Sequence, residues 1–230
     1  MTEKTLLILA NSFKNQGRCI AGREIWLKEG RASLGCWVRP IGNHTNGELF
    51  ETEWHYPDRS PLAVGDVARV KLSRPTNDPG QPENWVLGGP WQRVQRAALP
   101  GLPLEETHAD LWPGFETYTD RVAEEEIKKS PPLHSICILR PEGLRLVFST
   151  HHKVQWNKDQ KRYRAHFGYN GRHYALSLTD PVWTAKYADK VPPVGRQPLE
   201  VVVEGTPLIS VSLTPPFNGF HYKVCATVIA

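Results

Sequence analysis

The chain is poor in the residues that build metal and disulfide sites. It has four cysteines, at positions 19, 36, 137 and 225, and no two of them form a Cys-x-x-Cys pair. That spacing leaves no thiolate pair for zinc, and the four read as reduced thiols. Also missing is any apolar run approaching the roughly 20 residues a membrane span needs. The opening "MTEKTLLILANSFK" has too short an apolar core for a secretory leader, so a soluble, cytoplasmic protein is expected. There is no Gly-x4-Gly-Lys-Ser/Thr loop and no Gly-x-Ser-x-Gly elbow. A strong excess of charge is absent as well. Lys and Arg number 28 against 24 Asp and Glu, a net charge of +4. That is too little to hold a polyanion by charge alone, so geometry and stacking must supply much of any such affinity.

Eight tryptophans and twenty prolines are what the chain has in excess. The prolines cut it into short segments, and most of the tryptophans are expected in cores. "KTLLILAN" (4–11) is a continuous apolar run and reads as a buried strand. "CIAGREIWLK" reads as a strand bulged at Gly22, with a short helix as the other option. "GCWVRPIG" reads as a strand ending at Pro40, "VGDVARVKLS" alternates cleanly, and "ENWVLGG" and "WQRVQRA" make two more short strands. Beyond residue 101 the pattern turns acidic and helical. Phe115, Tyr118, Val122 and Ile127 recur at helical spacing, Thr117 with Asp120 suits a capped start, and Ser130-Pro131-Pro132 ends the segment. The rest is again strand-like, with an Asn-Gly hairpin signal in "YNGR" (169–172). "LSLTDPVW" (176–183) and "VSLTPPFNGF" (211–220) echo each other in the manner of two related barrel ends.

Many short strands with Gly/Pro turns and one helix argue for a mainly β chain. Two five-stranded barrels with a connecting helix account for its length, and one large β-sandwich is the competing fold. The expected division is residues 1–112 for the first barrel, 113–132 for the helix and 133–230 for the second barrel.

Four stretches carry a resemblance to a known family: "LLILANSFKNQGRCIAG", "WVRPIG" (37–42), "LSLTDP" (176–181) and "FNGFHYKVCATVI". Together they resemble the dual OB-containing domain of prokaryotes, and they span almost the whole chain. The resemblance implies two OB folds in tandem and no enzymatic activity of its own, and no cofactor is expected. It also implies recognition of nucleic acid or nucleotides, often near conflict or defence genes. It brings no set of functional residues to carry over.

The residues themselves offer three candidate binding regions. "NSFKNQGRCIAG" is rich in donors, Lys14 and Arg18 among them, and its glycines let backbone N–H groups approach an anion. An ordinary polar hairpin is the alternative. Trp37 and Arg39, two apart on a strand, share a face and could stack a base and pair a phosphate, unless the tryptophan is a core residue. Residues 151–174 hold six basic side chains against the single acid Asp159, interleaved with aromatics. Cations that track a backbone and π-faces that stack bases are what single-strand binding requires. Trp156, Lys161, Arg162, Arg164 and Tyr169 are the candidates there. Four histidines (151, 152, 166 and 173) lie nearby, but adjacent His151 and His152 point to opposite strand faces, so no metal site is expected.

Cys19 beside Arg18 is the one candidate nucleophile. It lacks a local histidine, and a Cys-x5-Arg phosphate loop would need arginine where Ile25 stands. The expected function is therefore a binding module for single-stranded nucleic acid or a nucleotide, within a defence system. The alternatives are a protein-interaction module, with a protein partner from that system, and an enzyme centred on Cys19.

Overall fold

The computed structural model describes residues 1–28, 31–100, 102–106, 111–112 and 119–230. The chain divides into two compact units, and neither is quite continuous. The first comprises 1–104 with 131–136, and the second 105–130 with 137–230.

The first unit contains β1 (Thr2–Lys14), β2 (Gly17–Lys28), β3 (Arg31–Ile41), α1 (Glu51–Trp54), β4 (Asp66–Pro75), β5 (Asn84–Leu87) and β6 (Gln92–Arg96). The strands run β1-β2-β3-β5-β4, and β4 pairs back with β1, so five strands close into a barrel. All pairings in the ring are antiparallel except β3 with β5. Alternation sends Leu6, Ile8, Ile20, Val38, Val70 and Leu72 inward, where Trp91 is fully buried among them. Each such side chain contributes roughly 1.5–3 kcal/mol by leaving water. "CIAGREIWLK" is a strand, as its pattern suggests. The expected bulge at Gly22 is displaced: Gly22 keeps register with Ile8, and the extra residue is Leu9 on the partner strand. Glycine is needed there because a Cβ would sit 2.4 Å from the Leu7 carbonyl oxygen.

The second unit contains β7 (Arg121–Ala123), α2 (Glu124–Lys129), β9 (Glu142–Lys153), β10 (Lys158–Tyr169), β11 (Arg172–Leu178), α3 (Pro181–Tyr187), β12 (Leu199–Val202), β13 (Leu208–Leu213) and β14 (Phe220–Ile229), with β8 (Ile136–Leu139) beginning at the boundary. Its sheet runs β12-β9-β10-β11-β14-β13-β8. The path β9-β10-β11-β14 repeats β1-β2-β3-β5, down to the parallel pairing of its last two strands. In the first unit, β4 pairs with both the first strand and the last. Here that work is split: β12 pairs with β9, and β13 with β14. Leu146, Phe148, Ala165, Phe167, Tyr174 and Leu176 fill the interior.

Two further expectations change. Of the helix expected over 113–132, the described residues from 119 onward hold α2 alone. Arg121–Ala123 instead pair with Phe220–Tyr222 as a strand, because that pairing buries Val122. Phe115, Thr117 and Tyr118 lie outside the described residues. The two echoing stretches do not mark two barrels, since both end strands of the second unit, β11 and β13. "LTDP" is helix-capping chemistry: Asp180 accepts from the backbone N–H groups of Val182 and Trp183, with Pro181 at the first helical position. The Asn-Gly hairpin forms as read, with Asn170 and Gly171 at φ of +50° and +72° and Tyr169 paired to Arg172. Among the described residues no helix is long and apolar enough to cross a membrane.

Candidate nucleic-acid interface

The outer face of β9–β10–β11 follows from strand alternation. Leu144, Leu146 and Phe148 point into the core, so Arg145, Val147, Ser149, His151 and Lys153 point out. On β10, Ala165 and Phe167 point in while Arg162, Arg164 and His166 point out. The register stacks these as cross-strand pairs on one face: Arg145 with His166, Val147 with Arg164, Ser149 with Arg162, His151 with Gln160, and Lys153 with Lys158. The column holds five permanent cations, two histidines and no acid. At about 3.3 Å per residue it runs roughly 26 Å.

Two adjoining hollows, of about 590 and 420 Å³, lie over this face and share Thr119, His166 and Ala175. Three acids border it. Glu200 on β12 pairs with Arg145 at 3.2 Å, while Asp120 and Glu142 stand at the walls. Burial, then the charges of Arg145 and Arg164, hold His166 below the ordinary histidine value, against the opposing pull of Glu200. The face is therefore a crowded, partly desolvated cationic surface, where an anion relieves repulsion as well as gaining contacts.

Beyond Phe148 and Tyr163 the two strands run on as a ribbon whose residues 151–162 are all exposed. Its base is held on the other face, where the Thr150 hydroxyl donates to the Pro192 carbonyl (2.7 Å) and the Lys161 ammonium to that of Ala188 (2.7 Å). The tip is a 3-10 turn, Val154–Trp156, closed by Asn157 in the left-handed region.

The residues singled out from the sequence divide sharply. Arg162 and Arg164 lie on the cationic face, and Trp156 is at the ribbon tip. Lys161 does not join them, because it has the opposite parity and braces the ribbon base. Tyr169 is 8 % exposed and belongs to the core, with the parity of Ala165 and Phe167. Arg145, His151, His166 and His173 line the hollows and were not expected there as ligand-facing groups. The period-two alternation of "GLRLVFST" is the signal that locates Arg145. His151 and His152 do face opposite ways, His152 pairing with Asp159 at 2.8 Å. Among the described residues no group of three or more His, Cys, Asp or Glu side chains could hold a metal ion.

The first unit places its candidates differently. Trp37 and Arg39 are 2 % and 1 % exposed, so the open stacking pair expected on a barrel face does not exist. Arg39 instead pairs with Glu83 at 2.7 Å and donates to Ser135 Oγ (3.0 Å) and Asn84 Oδ1 (3.4 Å). Ser135 gives Glu83 two further hydrogen bonds, from its amide and its hydroxyl. Burial raises the Glu83 carboxyl's proton affinity, but Arg39 and these bonds outweigh it and hold the group below its ordinary value. Lys14 is half-buried. Burial lowers its basicity, opposed by the neighbouring Cys19, Glu48 and Asp78 and reinforced by Arg39. Arg18 lies over the rings of Phe13 (4.1 Å) and Trp54 (5.1 Å). Cys19 is half-buried opposite Ser12.

A five-stranded barrel in the order β1-β2-β3-β5-β4, with its third and fifth strands parallel and a helix after the third, is an OB fold. The second unit follows the same strand path with its fourth strand broken. The model of the dual OB-containing domain matches residues 4–228, and the chain belongs to that family. No curated protein and no solved structure matches it. The stretches that carry the family resemblance are structural in this fold. They form the β1–β2 hairpin, the buried end of β3, the cap of α3 and the turn into β14, where Asn218 and Gly219 have positive φ.

Proposed function

We propose that the chain is a binding module for single-stranded nucleic acid and that the second unit carries the contacts. One observation supports this above the rest: the outward column of Arg145, Arg164, Arg162, Lys153 and Lys158 across β9 and β10, with no acid among its ten residues. In an OB fold these are the first two strands, and the second-and-third-strand face is where oligonucleotides are held. A track of about 26 Å is longer than one nucleotide uses, which favours a polymer over a mononucleotide. Arg162 and Arg164 hold phosphates, His166 and His151 add donors, and the bases stay free to stack.

The test is fluorescence anisotropy with labelled single-stranded DNA, single-stranded RNA and blunt duplex over a range of salt. Binding to single strands is expected, with log K falling linearly against log salt at about 0.7 per phosphate neutralised. Absence of binding to every probe at low salt overturns the proposal.

A further inference from the structure

We infer that the ribbon tip is a wedge for the end of a duplex, so that the preferred ligand is a duplex bearing a single-stranded tail. This rests on the reading of the cationic face as a single-strand track. The ribbon projects beyond its lateral partners. The last residue of β9 paired to β12 is Phe148, and the last of β10 paired to β11 is Arg164. From there Ser149–Lys153 and Lys158–Arg162 pair only with each other, an arm of about 17 Å.

The arm ends in two apolar side chains, Val154 at 84 % and Trp156 at 66 % exposure. Among the described residues the Trp156 indole makes no ring contact, unlike Trp54, which meets His55, or Trp183, which stacks on Tyr187. The turn that carries it is closed by its backbone. Asn157 closes the turn at φ +43°, and its amide bonds back to the Val154 carbonyl (3.2 Å). Lys153 and Lys158 flank the turn on the column's own face, the last cations of the track.

A strand held along the column by its phosphates therefore arrives at the turn that carries the exposed indole, next to the paired Lys153 and Lys158. A single base can rotate away from such a ring. A terminal base pair cannot, and it offers the wider π-surface and two backbone strands for the two lysines. Aromatic rings stack on exposed base faces while cations hold the adjacent phosphates.

Anisotropy titrations with the whole protein test this. The probes are a single-stranded oligonucleotide, a hairpin duplex carrying the same sequence as a tail, and the hairpin without the tail. The tailed hairpin is expected to bind about tenfold more tightly than the tail alone, from one stacking contact. Trp156→Ala should abolish that advantage, so that tail and tailed hairpin bind equally, and Trp156→Phe should restore most of it. Arg162→Ala should weaken tail and tailed hairpin alike. Equal affinity for tail and tailed hairpin, or an advantage that survives Trp156→Ala, overturns the inference and leaves the single-strand reading standing. Failure of every probe to bind removes both.

Discussion

Arg39 and Arg162 show how one residue type serves two OB folds in opposite ways. In the first unit Arg39 is almost fully enclosed, neutralised by Glu83 and tied to Ser135 and Asn84. Desolvating a guanidinium is costly, so such a pair persists only with its partners complete. In the second unit Arg162 stands exposed beside Arg164 in a row of like charges, which the fold tolerates because solvent screens them. The first arginine is committed to structure, while the second is available to a ligand. Composition does not distinguish them. What does is whether the strand face behind them is covered.

The largest effect that sharpens this contrast is expected from Glu83→Ala. It strands Arg39 without its counter-charge and should cost about 3–5 kcal/mol, read as a lowered midpoint in denaturant unfolding. If that variant instead kept its stability and lost nucleic-acid affinity, the division of labour between the units would be wrong. Arg162→Ala is the converse. Stability should change by no more than about 0.5 kcal/mol, while the slope of log K against log salt falls by about 0.7 for single strands.

A smaller effect comes from His166. Its pKa lies below the ordinary 6.5 because of burial, Arg145 and Arg164. The unfolded chain therefore keeps this proton at a pH where the folded protein has released it. The group's contribution to stability is intact above 6.5 and is lost as pH falls through that value toward the folded pKa. A bound phosphate offsets the arginines and lets the imidazole take the proton. Affinity should therefore rise as pH drops from about 7.5 to about 5.5, and His166→Gln should flatten that rise. The smallest effect is chemical. A thiol reagent should label exposed Cys36 at once, and Cys137 and Cys225 only on unfolding, since burial pushes both thiols well above their ordinary range. Mass spectrometry of the labelled peptides reads this directly.

Much of the strand content was legible because period-two alternation and turn residues are local. The hairpins at Asn15 and at Asn170-Gly171 needed only their own sequence. Within the expected helix, residues 121–123 were overread because Val122 and Ile127 satisfy a helical stripe equally well when a short strand pairs with β14 and a short helix follows. The basic segment was legible as a region, but its working face was not. Lys161 and Tyr169 have the wrong parity, and that becomes visible only once Ala165 and Phe167 are known to point inward. The fate of Arg39 depended on Glu83 and Ser135, distant in sequence, which no local pattern could supply.

Ser135 also sets an order of events at the ribosome. The first unit is completed by residues 131–136, which emerge only after 105–130 of the second. At roughly 5–20 residues per second, the nascent barrel waits about one to five seconds with Arg39 and Glu83 lacking their third partner. A fragment ending at Leu104 is held permanently in that waiting state, so the first barrel made alone should be a poorer folder than its closed ring of strands suggests.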